Sequence, residues 1–197
     1  MKKQKENYQI FSYIDKSWTL FLDRDGVINK KIENGYVTKW EEFEFLPGAL
    51  NAMNILSSIF GKIIIITNQR GIARGLMREK DLYVIHKNMV NIFQKYSINI
   101  TKIYYCPHDY KDNCKCRKPQ TGMIEQALKD FNDIDLKKSI FVGDSEIDIL
   151  TAKNAGILSV LVGTNTGKNL NIKPDFYFNN LFDFVLKIKK DLNKDIV

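Results

Sequence analysis

The chain has 197 residues, of which 44% are hydrophobic and 27% charged, a balance that is typical of a folded protein and argues against large-scale disorder. The formal charge of +7 would permit an anionic partner, but no nucleic-acid-binding motif accompanies it, so we do not expect a nucleic-acid partner. No stretch approaches the roughly 20 apolar residues of a membrane span, and the polar N-terminus lacks a secretory signal. We therefore expect a cytoplasmic protein with no membrane partner.

Apolar strands alternate with amphipathic helices along the chain. The expected strands are Trp18–Leu22, Lys62–Thr67, Lys102–Tyr105, Ser139–Val142, Ser159–Val162 and Asp175–Phe178. The expected helices are Pro47–Phe60, Arg78–Tyr96, Thr121–Phe131, Ile147–Ala155 and Leu181–Leu192. This alternation predicts an α/β fold with a doubly wound, mostly parallel sheet.

The domain organisation follows from the same pattern. Residues 1–16 are polar and aperiodic and are interpreted as a tail, which leaves 17–197 as a single domain. No long insertion interrupts the pattern, so we expect no separate cap domain. No sizeable apolar stripe is left over once the helices are assigned, so we expect a monomer. His86, on the second helix, is expected to be a surface or capping side chain.

The segment Leu20–Asn29 (LFLDRDGVIN) ends an apolar strand in two carboxylates, Asp23 and Asp25, and Gly26 permits a tight exit. Ligands of open α/β sheets bind at the carboxyl ends of the strands. There Asp23 is placed to attack a phosphorus atom, while Asp25 would protonate the leaving oxygen and later deprotonate water. The sequence Asp23–Gly26 (DRDG) is also typical of an ordinary acidic turn, so the catalytic interpretation depends on the residues at the other strand ends.

Three further strand ends carry polar side chains towards the same edge: Thr67-Asn68-Gln69-Arg70, Arg117-Lys118, and Asp144 with Asp148. Carboxylates alone would repel a phosphate, whereas a hard, oxygen-seeking cation such as Mg²⁺ between them would hold it. Thr67 and the amides of Asn68 and Gln69 could then bond phosphoryl oxygens, and Lys118 could balance their charge. The set predicts a site for phosphoryl transfer.

A second metal site is predicted between strand three and the following helix. Cys106, His108, Cys114 and Cys116 lie within residues 106–116 and fit a closed tetrahedral zinc site. In a reducing compartment such clustering favours a metal over a disulfide, although free thiols around a surface loop remain an alternative. A closed site cannot activate water, so the zinc would be structural and would fix the loop that presents Arg117 and Lys118.

The ordered motifs resemble the haloacid dehalogenase superfamily of phosphohydrolases, and within it the D-glycero-D-manno-heptose 1,7-bisphosphate phosphatases. The motifs are FLDRDGVIN, GYV followed by FEFLPGAL, TNQRGIARG, CPH…CKCRKPQTGM and VGDSEID, which together cover Phe21–Gly163. The resemblance implies that Asp23 is the nucleophile and Asp25 the acid/base. It also implies that Mg²⁺ is bound by the Asp23 carboxylate, the Asp25 main-chain carbonyl and Asp144, with Asp148 as a supporting acid.

The same resemblance implies the roles of the substrate-binding residues. Thr67 and Lys118 match residues that steady the transferring phosphoryl group, and Arg117 matches one that recognises a second phosphate. The loop Glu33-Asn34-Gly35-Tyr36 corresponds to a substrate-contacting loop. The implied reaction is removal of the C7 phosphate from a heptose 1,7-bisphosphate, so the expected partner is a small sugar phosphate.

Two departures and several alternatives stay open. Arg70 stands where the family commonly has a small residue, and Ser145 stands where it frequently has lysine, so Arg70 is a candidate replacement for that lysine. The short Cys/His spacing also resembles histidinol-phosphate phosphatases, whereas Gly71–Gly75 and Thr121-Gly122-Met123 favour the heptose enzymes. A nucleic-acid 3′-phosphatase and a phosphotransferase would share the chemistry. A non-enzymatic binding module is disfavoured because both catalytic acids are present.

Overall fold

The structure is a computed structural model and describes residues 8–163 and 171–192. The strands are β1 (Thr19–Leu22), β2 (Lys62–Asn68), β3 (Lys102–Cys106), β4 (Ser139–Gly143), β5 (Leu158–Val162) and β6 (Phe176–Phe178). The α-helices are α1 (Ala49–Ile59), α2 (Glu79–Lys95), α3 (Gly122–Asp130), α4 (Glu146–Ala155) and α5 (Leu181–Leu192). Short 3₁₀ helices cover Tyr8–Tyr13, Trp40–Glu42, Tyr110–Asp112 and Leu136–Lys138. Every expected strand and helix is present, with ends that differ by no more than two residues.

The strands form one parallel sheet in the order β3-β2-β1-β4-β5-β6. The chain builds outwards from β1 through β2 to β3 and then returns to the other side of β1 with β4. The order therefore reverses at β1, and the carboxyl end of a strand at such a switch point faces a crevice. The expected doubly wound α/β fold is confirmed, and Asp23 and Asp25 follow the strand at its centre.

Both faces of the sheet are covered, which explains why the strands are apolar without interruption. In β2, Ile63 and Ile65 belong to a core formed with α1, α2 and α5, whereas Ile64 and Ile66 face a second core formed with α3 and α4. The alternation is the period of two expected for a strand. None of the helices within 8–163 and 171–192 has the length and hydropathy that crossing a bilayer requires.

The N-terminal segment differs from the expected tail. Residues 1–7 lie outside the described residues, but Tyr8–Tyr13 form a 3₁₀ helix, and Phe11 and Ile14 are buried in the first core. The Phe11 ring lies 4.6 Å from that of Phe176 in β6 and 5.7 Å from that of Phe184 in α5. The apolar side chains of this stretch, Ile10, Phe11 and Ile14, are too few to repeat over several turns, so the sequence did not predict this packing.

Candidate active site

A cleft of about 470 Å³ opens at the carboxyl edge of the sheet, around the ends of β1, β2 and β4. It brings together nearly all of the predicted catalytic and substrate-binding residues: Asp23, Asp25, Asn34, Gly35, Tyr36, Thr67, Asn68, Gln69, Arg70, Arg117, Lys118 and Asp144. Glu33 is exposed and is not among the residues that line the cleft. Lys31, Arg74 and Tyr110 also line it, although the sequence analysis did not select them.

Asp23 lies at the floor of the cleft, immediately after β1. Its main-chain amide donates to the carbonyl of Val142 at 2.9 Å, so the backbone is still tied to β4 at this point. Its carboxylate lies 2.9 Å from the Lys118 ammonium. Burial, reinforced by the neighbouring carboxylates, raises the pKa of Asp23 to about 7 although Lys118 opposes the shift. The crowded negative charge favours a bound cation.

Asp23, Asp144 and Asp148 offer carboxylate oxygens that all lie within 4.8 Å of one another. Asp148 is already satisfied, because one oxygen accepts from Lys118 at 2.6 Å and the other accepts from the amide and hydroxyl of Ser145 at 3.1 and 2.5 Å. In contrast, Oδ1 of Asp144 is buried without a hydrogen-bond partner. Asp23 and Asp144 are therefore the better candidates for cation ligands, and their hard oxygen donors fit Mg²⁺.

Gly26 allows the β1 and β4 ends to approach each other. Its φ of +90° is one that side-chain-bearing residues rarely adopt, and a Cβ atom there would lie only 2.3 Å from Oδ2 of Asp144. Lys31, from the following loop, reaches the same oxygen at 3.1 Å. The glycine is thus required for the two acidic motifs to share one site.

Lys118 is buried between Asp23 and Asp148, and Asn68 fixes its position. The Asn68 side-chain amide donates to the Lys118 carbonyl at 3.2 Å, and the Lys118 amide donates to Asn68 Oδ1 at 3.0 Å. Burial would lower the pKa of Lys118, but the charges of Asp148 and Asp23 outweigh it and raise the pKa, so the ammonium stays charged. One expected contact is wrong: the Gln69 main-chain amide donates to the Cys106 carbonyl at 2.7 Å and is not free for phosphate.

The Asp25 carboxylate is held by several donors. Arg24 donates from Nη2 to both carboxylate oxygens at 2.9 Å, and the side-chain amides of Asn29 and Gln69 add bonds of 2.9 and 3.0 Å. Thr67 Oγ1 lies 3.5 Å away. Burial would raise the pKa of Asp25, but the Arg24 charge and these hydrogen bonds lower it.

Two residues behind Asp25 were missed or misjudged from the sequence. Arg24 has no exposed surface, and His86 is only 9% exposed rather than on the surface as expected. Their side chains meet at 3.1 Å between Arg24 Nη1 and His86 Nε2. The sign available for Arg24 was a charged residue between two motif acids. The sign available for His86 was its helical spacing, four residues after Leu82 and three before Met89, which places it on the apolar face of α2.

The outer rim of the cleft carries arginines stacked on tyrosines. The guanidinium carbons of Arg70 and Arg117 lie 4.3 and 4.2 Å from the centre of the Tyr110 ring. Arg70 Nε also bonds Asp109 at 2.7 Å, and Arg74 lies 5.8 Å from the Tyr36 ring. Such contacts hold long cationic side chains in place while leaving donors available to an anion.

The predicted cysteine and histidine residues converge beside this rim. Sulfur–sulfur distances among Cys106, Cys114 and Cys116 are 3.2 to 3.6 Å, and His108 Nδ1 lies 3.2 Å from the Cys116 sulfur. All three cysteines are free thiols. Four soft and borderline donors within 4.8 Å of one another fit a tetrahedral zinc ion.

A parallel sheet that presents Asp23, Asp25, Thr67, Lys118 and Asp144 at one edge has the architecture of a haloacid dehalogenase-type phosphatase. The family model described as polynucleotide kinase 3 phosphatase matches residues 19–176. The chain therefore belongs to this family of phosphatases, which hydrolyse phosphoric monoesters.

Similar proteins are consistent with this assignment. The D-glycero-alpha-D-manno-heptose-1,7-bisphosphate 7-phosphatase of Campylobacter jejuni is 41% identical over 92% of this chain and 99% of its own length. The D-glycero-beta-D-manno-heptose-1,7-bisphosphate 7-phosphatase of Haemophilus ducreyi is 37% identical over 84% and 95%. The solved structure of the D,D-heptose 1,7-bisphosphate phosphatase of B. bronchiseptica, complexed with magnesium and phosphate, covers 88% of this chain and 99% of that one, with a TM-score of 0.80 and 30% identity.

Proposed function

We propose that the protein removes the C7 phosphate of D-glycero-D-manno-heptose 1,7-bisphosphate. The observation that carries the proposal is that one cleft has two groups of polar residues. Asp23 and Lys118 lie at its buried floor, and Arg70 and Arg117 lie at its outer rim. A sugar with a phosphate at each end suits this arrangement, because one phosphate can react while the arginines bind the other. Relatives named as heptose-1,7-bisphosphate 7-phosphatases, 35–41% identical to this chain, support the same substrate.

In the proposed reaction, an oxygen of Asp23 attacks phosphorus and the bond to the C7 oxygen breaks, giving an aspartyl phosphate. The protonated form of Asp25, a minor form because its pKa is lowered, gives its proton to the departing oxygen. The resulting carboxylate then takes a proton from water as the water attacks phosphorus. The bond between Asp23 and phosphorus breaks, which releases inorganic phosphate and restores the Asp23 carboxylate. Lys118 and Thr67 would bond the phosphoryl oxygens. Asn34, Gly35 and Tyr36 would contact the sugar.

Both metals fit the residues present. Mg²⁺ would be held by the carboxylates of Asp23 and Asp144 and by the main-chain carbonyl of Asp25, and it would neutralise the phosphoryl charge that the acidic floor otherwise repels. A zinc ion would be held by Cys106, His108, Cys114 and Cys116. The zinc site continues directly into Arg117 and Lys118, so a bound ion would fix the loop that carries both cations.

The test is Mg²⁺-dependent phosphate release across a small panel of substrates. The panel holds both anomers of heptose 1,7-bisphosphate, fructose 1,6-bisphosphate, histidinol phosphate and a 3′-phosphorylated oligonucleotide. A preference for one heptose anomer of at least about ten-fold in kcat/KM over every other substrate is expected, which corresponds to about 1.4 kcal/mol of transition-state binding. A preference for histidinol phosphate or the oligonucleotide would replace the proposed substrate by that alternative.

A further inference from the structure

We infer that Arg24 and His86 form a buried positioning pair that holds the Asp25 carboxyl group in place for proton transfer. The inference rests on the proposed function, in which Asp25 is the acid and base. The geometry is a relay of side chains: His86 in α2 contacts Arg24 Nη1 at 3.1 Å, and Arg24 Nη2 contacts both oxygens of Asp25 at 2.9 Å.

The burial of Arg24 requires an explanation. Arginine is almost never fully buried unless it is paired, because removing its charge from water is costly. Here Arg24 has no exposed surface, Asp25 supplies its counter-charge, and its guanidinium carbon lies 5.9 Å from the centre of the Phe43 ring. Apolar side chains would have been enough to pack α2 against the end of β1. The charged Arg24 instead forms an ion pair with the carboxylate of Asp25.

His86 orients the guanidinium group of Arg24. The imidazole is neutral, since burial and the adjacent Arg24 charge lower the pKa of His86 to about 3. A neutral imidazole has one acceptor nitrogen, and Nε2 accepts from the Arg24 guanidinium, which leaves the proton on Nδ1. The histidine therefore fixes the rotation of the guanidinium fork. With the fork fixed, its other terminal nitrogen determines where the Asp25 oxygens lie.

A substitution pair at His86 separates positioning from simple packing. In His86→Gln the amide oxygen can reach the place of Nε2 and keep the bond to Arg24, whereas in His86→Asn the shorter side chain cannot. The two variants introduce the same chemical group, so a difference between them reports the contact and not the polarity of the site.

The readout is kcat/KM for two substrates that differ in their leaving group. This ratio is chosen because it reports only the steps up to departure of the alcohol or phenol and not the later hydrolysis of the intermediate. Loss of a 7-hydroxyl from heptose 1,7-bisphosphate needs a proton, whereas the phenolate of 2,4-dinitrophenyl phosphate departs without one. For His86→Asn we expect a loss of about 30- to 100-fold on the heptose substrate and less than about three-fold on the aryl phosphate. His86→Gln should recover most of the loss.

The outcomes are distinct. Equal losses on both substrates, or equal behaviour of the Gln and Asn variants, would reduce the pair to a fold-stabilising role and overturn the inference. A wild-type enzyme that hydrolyses the aryl phosphate but leaves the heptose substrate intact would instead overturn the proposed function. If His86→Asn does not fold, Arg24→Lys tests the relay from the other side: it keeps a charge beside Asp25 but lacks the second arm of the fork, and the same substrate-selective loss is expected.

Discussion

The floor and the rim of the cleft are built in opposite ways. At the floor, Asp23 is 8% exposed, Lys118 3% and Asp148 not at all, and these side chains satisfy one another at fixed distances. At the rim, Arg70 and Arg117 extend from loops and are held by stacking on the exposed Tyr110 ring. The buried floor is suited to holding reacting atoms in fixed positions, as catalysis requires. The longer side chains of the rim are suited to contacting the distant part of a substrate and so to determining specificity. Chemistry and specificity should therefore respond differently to mutation.

The largest effect is expected for Asp23→Asn, which removes the proposed attacking oxygen and a candidate cation ligand from the floor. Phosphate release should fall on the order of 10⁴-fold or more, with the melting temperature preserved. The exposed Asp133→Asn serves as the control for the same chemical change away from the cleft and should keep full activity. Appreciable turnover by Asp23→Asn would refute the assigned nucleophile.

Lys118→Met should affect both activity and stability. It leaves Asp148 buried without its cation, which should cost about 3–5 kcal/mol of unfolding free energy, and it should lower kcat about 10²- to 10³-fold. Denaturant unfolding and steady-state kinetics measure the two effects. The double variant Lys118→Met/Asp148→Asn should regain part of the stability but none of the activity; recovery of both would mean that Lys118 acts only in folding.

Cys114→Ser tests whether the rim depends on the proposed zinc ion. Metal analysis should show a fall from one zinc per chain to nearly none, with a lower melting temperature and a loss of activity of about ten-fold. Lys115→Ser, at the neighbouring position, is the control and should keep its zinc. Unchanged zinc content in Cys114→Ser would contradict the four-residue site.

The smallest effect is expected at the rim itself. Arg70→Ala should raise KM for the bisphosphate about ten-fold with little change in kcat, because a charge-assisted bond to the second phosphate is worth about 1.5 kcal/mol or more. A monophosphate that lacks the second group should be affected much less. Arg78→Ala, which removes a 69% exposed arginine at the start of α2, should change neither value. A fall in kcat instead of a rise in KM would mean that Arg70 acts in the chemical step and not in substrate binding.

The sequence predicted the floor better than the rim, for physical reasons. Asp23, Thr67 and Asp144 follow apolar strands, and parallel strands carry their carboxyl ends to one edge, so their proximity could be predicted without coordinates. Tyr110 lies in the loop between His108 and Cys114, and no periodic pattern in the sequence predicts the path of such a loop. Phe11 was missed because its short apolar stretch lies outside the predicted helices and strands. The burial of His86 was misjudged, although the residue lies on the apolar face of α2.

The contact between Gly26 and Asp144 has a consequence for how the sequence can vary. The two residues lie in motifs separated by more than a hundred positions, yet a Cβ atom at residue 26 would come within 2.3 Å of an Asp144 oxygen. A side chain could be accepted at residue 26 only if Asp144 moved away, and that movement would withdraw a candidate cation ligand from the floor. A substitution at either position alone should therefore reduce activity. A laboratory selection for activity should leave Gly26 and Asp144 unchanged while loops such as Glu33–Tyr36 vary in sequence.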